Sequence, residues 1–245
     1  MLRMAFLILV TLVDTLVFAP LVTIVGLVRS TSPLIDRLIH AWARVIVRAA
    51  GLEISVTGTE HLDPGRRYIV IANHASYLDI PVLFAAIRQP LRFMAKKSLF
   101  SVPIFGWGLK AAGFIPVDRK KSATASASFD LATSRLAKGN SLVIFPEGGR
   151  SRTVEMEPFK RGAFLLALKS GLPIVPVGIV GTSDALPATR FIIKPGAVEI
   201  RIGTPIETAD LGVRRKDELM TTARERISEL LEGTRQAQMQ QREPG

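Results

Sequence analysis

Asn73, His74, Ser76 and Asp79 fall within one short stretch, Asn73-His74-Ala75-Ser76-Tyr77-Leu78-Asp79, directly after the apolar run Tyr68-Ile69-Val70-Ile71-Ala72. A β-branched run of this kind reads as a buried strand, and the polar break after such a strand is where α/β proteins place their sites. Pro81 suits a first helical turn but not a helix interior, so the next helix is expected to begin near Asp79. Asp79 then stands at or beside the N-cap, where free backbone N–H groups stabilise a carboxylate and from where it can reach back to His74. Imidazole is the side chain whose charge changes nearest neutral pH. A carboxylate partner sets its tautomer and leaves the far nitrogen able to take a proton. The pattern predicts a general base with an orienting acid. A purely structural account competes with it, because Ser76-x-x-Asp79 also has the form of a helix capping box.

Other polar clusters follow apolar runs in the same way. Lys96-Lys97-Ser98-Leu99-Phe100 and Pro103-Ile104-Phe105-Gly106-Trp107 come after Leu91–Ala95, and Gly113-Phe114-Ile115-Pro116-Val117-Asp118-Arg119 is next. Phe145-Pro146-Glu147-Gly148-Gly149-Arg150-Ser151-Arg152 comes after Ser141–Ile144. In this last cluster the glycines let backbone N–H groups approach an anion, and arginine holds phosphate through paired donors. An ordinary tight turn with solvated arginines is the plainer account of it taken alone.

The composition removes several chemistries. The chain has no cysteine, which excludes a thiol nucleophile, a disulfide scaffold and thiolate metal sites. No Gly-x-Ser-x-Gly elbow is present, so a covalent acyl-enzyme has no obvious carrier. His40 and His61 show no ligand spacing with His74, so no metal is expected, and no Walker or Rossmann glycine pattern calls for a nucleotide cofactor. A formal net charge of +11 over 245 residues points to an anionic partner. Two Trp and two Tyr, with no aromatics interleaved among basic residues, argue against nucleic acid.

The elements that must position these clusters alternate between strand and helix. Strands are expected at Glu53–Thr57, Tyr68–Ala72, Leu91–Ala95, Phe114–Val117, Ser141–Phe145, Ile174–Val180 and Ala197–Ile202, with helices such as Ile80–Ile87, Ala123–Lys138 and Arg161–Lys169 between them. This order predicts an α/β fold: one domain over residues 51–245, with a mostly parallel sheet of about seven strands covered by helices. A tail helix over Arg214–Gln241 is expected to cap it through Leu219, Ile227, Leu230 and Leu231. Residues 1–50 are of another kind. Met4–Val28 is apolar and long enough to cross a bilayer, although Asp14 and Pro20 also allow an interfacial hairpin. Pro33–Gly51 reads as a basic amphipathic helix, with Trp42 suited to an anionic membrane interface and packing on the domain as the alternative. Membrane association is the expectation, and the arginines and lysines after the apolar run place the domain on the cytoplasmic face.

Taken together and in order, the clusters resemble the glycerophospholipid acyltransferase family, and within it the 1-acylglycerol-3-phosphate acyltransferases. The family's histidine, four residues, then aspartate is matched by His74 through Asp79. Its second block resembles Gly113–Arg119, preceded by a pattern similar to Lys97–Gly106. Its third, Phe-Pro-Glu-Gly-Thr-Arg-Ser, corresponds to Phe145–Ser151 with Gly149 in place of threonine, and its fourth is similar to Leu172–Val177. The likeness covers about residues 70–180, far more than any one motif. It implies acyl transfer from a thioester, acyl-CoA or an acyl carrier protein, to the 2-hydroxyl of lysophosphatidate at an anionic membrane. By this likeness His74 is the general base and Asp79 orients it, with Asn73 and Ser76 beside them at the substrate. Arg119, Arg150 and one of Lys96 or Lys97 are nominated for the phosphate, Glu147 for the glycerol, and the backbone of Gly148 and Gly149 for an anion. The glycine departure bears on substrate preference rather than on reaction class. Rival readings are an acyltransferase for another lysolipid such as lyso-ornithine lipid, a thioesterase or esterase that uses water, and a non-catalytic membrane-binding module.

Overall fold

The runs of Val, Ile and Leu form a twisted central sheet in this computed structural model, which describes residues 1–117, 131–151 and 155–240, with side chains to residue 232. Its strands are β1 (Leu52–Thr57), β2 (Ile69–Ala72), β3 (Leu91–Lys96), β4 (Ile115–Val117), β5 (Ser141–Ile144), β6 (Ile174–Val180) and β7 (Gly196–Ile202). The spatial order is β1-β7-β6-β2-β5-β3-β4, parallel throughout except between β6 and β7. Each strand lies within one residue of its expected bounds, and the expected seven-stranded, mostly parallel sheet is what is found. β2 lies at the centre and is buried on both faces. Val70 and Ala72 face one hydrophobic core, and Ile69 and Ile71 face the other. Such two-sided burial is why parallel strands read as unbroken apolar runs.

On one face of the sheet lie α1 (Leu2–Val28), α2 (Pro33–Ala50), α3 (Asp79–Ala86) and α4 (Phe105–Ala112). The other face is covered by α5 (Gly162–Ser170) and α6 (Lys216–Gln240), and the second core also includes Ala132 and Leu136 from a helical stretch over residues 131–137. The earlier part of the helix expected at Ala123–Lys138 lies outside the described residues. α6 buries Leu219, Ala223 and Ile227, as its spacing predicts, with Leu230 and Leu231 partly covered.

The N-terminal helices correct two expectations. α1 runs through Pro20 as one helix rather than a hairpin, and it packs on α2 and α4 through Met4, Leu7, Ala19 and Val22. Its approach to α4 is close: a Cβ on Gly108 would lie 3.0 Å from the Ala19 Cβ, so glycine is what lets the two helices touch. The amphipathic stripe of α2 turns inward. Ile35, Ala43 and Ile46 are buried in the core shared with α1 and α3, and Trp42, expected at a membrane interface, donates to Thr15 Oγ1 of α1 at 3.1 Å. A buried Arg92–Asp36 pair at 2.6 Å pins α2 to β3. The opposite side of α1 remains bare, with Leu9, Leu12, Leu16 and Ile24 all more than half exposed. The helix is long and apolar enough to cross a membrane, and 22% of its most apolar window is buried against the domain.

Candidate active site

The polar breaks after β2, β5 and β6 meet at the C-terminal edge of the sheet, where a parallel α/β fold leaves a crevice. Asp79 is the first residue of α3 and is fully buried. Its Oδ2 accepts from His74 Nδ1 at 2.7 Å and from the backbone N–H groups of Ala75 and Ser76 at 2.8 Å each, and its Oδ1 accepts from Thr182 Oγ1 at 2.6 Å. The capping-box account and the catalytic account thus describe one carboxylate. It closes the turn and also receives the imidazole, while Ser76 Oγ accepts from Leu78 N at 3.2 Å. With Nδ1–H directed at a carboxylate, Nε2 carries the lone pair, and it bonds to no described residue. The ring is stacked on Phe145, centroids 4.0 Å apart, and only 4% of His74 is exposed.

Glu147 braces the same turn from the β5 side. Its Oε1 accepts from His74 N at 2.7 Å, and its Oε2 accepts from Glu157 N at 2.8 Å and from the Ser151 hydroxyl. In return the His74 carbonyl accepts from Ser151 N at 2.7 Å. The Asn73 amide pairs with both backbone groups of Ile179 in β6, at 2.9 and 2.7 Å, and Ser76 Oγ also donates to Leu186 O at 2.8 Å. These three residues, expected as substrate contacts, are buried and bonded to the protein. A buried polar group left unpaired is costly, so such satisfaction makes the turn rigid.

Two grooves flank the turn. One of about 460 Å³ is almost wholly apolar, lined by α1 and α2 residues such as Leu12 and Trp42 and by Tyr77, Leu78 and Phe93. The other is polar and is lined by Glu147, Gly148, Gly149, Arg150, Glu157 and Lys160. Tyr77 belongs to the first groove, and the guanidinium of Arg150, from the second, lies 3.7 Å from its ring centroid. Gly148 has φ +74°, and a Cβ there would fall 2.4 Å from Lys160 Nζ. The glycine therefore supplies both a left-handed turn and room for a cation across it. Its N–H donates to Phe145 O at 3.1 Å.

Of the residues singled out in the sequence, Asn73, His74, Ser76, Asp79, Glu147, Gly148, Gly149 and Arg150 come together here. Lys96 and Lys97 are exposed at the end of β3 and line neither groove. Arg119 lies outside the described residues. Sequence reasoning passed over Thr182, Tyr77 and Phe145. Thr182 had a usable signal, since Gly181-Thr182-Ser183-Asp184 is itself a polar break after a strand. The stacking partners had none, because their role depends on which loops meet.

Residues 53–180 match the acyltransferase family, just over half of the chain. This chain belongs to that family. It is 32% identical over 73% of its length to a 1-acyl-sn-glycerol-3-phosphate acyltransferase of Chlamydomonas reinhardtii, of which it spans only 53%, about half. Against the enzyme of that name from Borreliella burgdorferi the identity is 30%, over 80% of this chain and 78% of the other. The crystal structure of the 1-acyl-sn-glycerophosphate acyltransferase from Thermotoga maritima superposes with a TM-score of 0.83 at 24% identity, covering 96% of this chain and 95% of that one, which establishes the shared fold. The matched family region contains both the His74 turn and the Glu147–Arg150 turn.

Proposed function

We propose that this acyltransferase moves an acyl chain from an acyl thioester to the 2-hydroxyl of 1-acylglycerol-3-phosphate, giving phosphatidate. The observation that carries the reading is the buried His74–Asp79 pair, in a turn flanked by an apolar groove and by a polar one that includes Arg150 and Lys160. His74 Nε2 takes the hydroxyl proton as that oxygen attacks the thioester carbonyl. The C–S bond then breaks, and the departing thiolate takes the proton from His74. Asp79 stays a carboxylate throughout, orienting the ring and stabilising the imidazolium. Acyl chains occupy the apolar groove. Arg150 and Lys160 hold the phosphate, and the family likeness also nominates Arg119 and one of Lys96 or Lys97. The names carried by the relatives support this acceptor. The donor is acyl-CoA or an acyl carrier protein, both anionic and both suited to a chain of net charge +11. The exposed apolar side of α1 supports seating on a membrane, and the arginines and lysines after it support a domain on the cytoplasmic face.

The test is transfer from a labelled acyl thioester, with lysophosphatidate, other lysolipids or no acceptor, by wild type and His74→Ala. Phosphatidate made by wild type alone, and from lysophosphatidate alone, is the expected result. Label moving to a different lysolipid would reassign the acceptor, and release of free fatty acid without transfer would make the protein a hydrolase.

A further inference from the structure

The loop between the one-turn helix Thr182–Ala185 and β7 is exposed in an unusual way. Its base is firm: Leu186 and Ile193 are buried, Lys194 N donates to Ala185 O at 2.8 Å, and Ser76 of the histidine turn bridges to Pro187. Its tip is bare. Phe191 is 68% exposed and Ile192 51%, with exposed Arg190 and Lys194 on either side. Phe191 lines the same apolar groove as Leu12 of α1, and its ring lies 6.0 Å from that of Tyr77. The groove therefore has large, water-exposed apolar residues on two separate elements, α1 and this tip.

We propose that residues 190–194 form a second membrane-seating lip, inserting Phe191 and Ile192 into the acyl region of an anionic bilayer while Arg190 and Lys194 bind its headgroups. An aromatic and a β-branched residue bracketed by cations match a surface that is apolar inside and anionic outside. The continuity of the tip with the groove gives the contact a purpose. With α1 and the lip both seated, the groove opens onto lipid rather than water, and an acyl chain enters without crossing an aqueous gap. The lip thereby extends the acyltransferase reading, although its insertion can be measured without any turnover.

The absence of cysteine makes the test clean, because Ile192→Cys carries a unique label. An environment-sensitive dye is placed there, at Leu12→Cys on α1, and at Glu229→Cys on α6, in the full chain. The proteins are added to phosphatidylcholine vesicles with and without phosphatidylglycerol, some bearing acyl-chain bromines. The expected result is a blue shift and bromine quenching at 192 and 12 but not at 229, with apparent affinity about tenfold weaker for Arg190→Glu with Lys194→Glu. A label at 192 that stays in water while 12 is quenched would overturn the lip, as would a shift at 192 produced by acyl carrier protein and not by vesicles. In the activity arm, Ile192→Asp should lose about tenfold on vesicle-embedded lysophosphatidate and keep its rate on a short-chain, water-soluble one. Equal losses on both acceptors would refute insertion. If wild type transfers nothing, the acyltransferase reading fails, and the fluorescence arm alone decides the lip.

Discussion

The two sides of the site are built on opposite principles. On the β2 side the polar side chains of Asn73, Ser76 and Asp79 are bonded within the protein: Asp79 accepts four hydrogen bonds, Asn73 spans to β6, and Ser76 spans to Leu186. On the groove side Arg150 and Lys160 are exposed, no described residue lies within 4 Å of where a Gly149 Cβ would stand, and Arg150 lies over the Tyr77 ring. One side is closed upon itself, and the other is left for something to bind. The contrast teaches where tolerance lies. A proton acceptor must be held in one orientation, whereas a phosphate can be gripped by cations that adjust to it.

Variants on the closed side should therefore change rate, and those on the open side should change affinity. His74→Ala is expected to lower kcat by about 10²–10⁴, with the melting temperature little changed because Asp79 keeps three other donors. Asp79→Ala should lose as much activity and also about 3–5 kcal/mol of stability, since four donors lose their acceptor. Thermal unfolding beside kinetics separates the pair. Equal melting losses for both would mean that the turn is not braced as described.

Glu147→Gln is expected next, at about 1–3 kcal/mol of destabilisation with a lower kcat and an unchanged acceptor KM. Its carboxylate faces three donors and an amide NH₂ cannot replace it. A KM effect without a stability effect would return Glu147 to the substrate. Arg150→Ala should raise the KM for lysophosphatidate about tenfold and leave kcat and melting alone. The reverse pattern, a kcat loss at constant KM, would erase the distinction between the two sides. The smallest effect is expected of Gly149→Thr, which restores the residue common in the family. No described residue lies within 4 Å of the added Cβ, so the melting temperature should hold and KM should move less than about threefold.

Much of this was legible beforehand because the signals are local. A buried parallel strand needs an unbroken apolar run, and a polar break must follow at the crevice, so Tyr68–Ala72 and the septet after it declared both the strand and the His74–Asp79 pair. Pro81 and an Asp79 at or beside the N-cap were enough to place the carboxylate against His74. The protein partners of other residues were out of reach for one shared reason. Asn73, Ser76 and Glu147 carry the same groups whether they face a substrate or the protein, and their partners Ile179, Leu186 and the His74 amide are far away in sequence. The stripe on α2 likewise looks the same whether it meets lipid or α1, and only the packing of α1 on α4 through Gly108 and Ala19 decides that it points inward.

Sequence alone was sufficient for whatever depends on periodicity, composition and near neighbours: the alternating strands and helices, the long apolar helix, the missing thiol, the basic charge and the His74–Asp79 pair. Tertiary structure alone decided which loops share the crevice, that Thr182 completes the set of donors to Asp79, that Glu147 accepts from the His74 amide, and that Phe191 stands beside Tyr77 at the groove. The division is physical. Local dihedral and hydrophobic preferences are written in adjacent residues, whereas the partner of a buried polar atom is set by the chain crossovers that bring β2, β5 and β6 side by side.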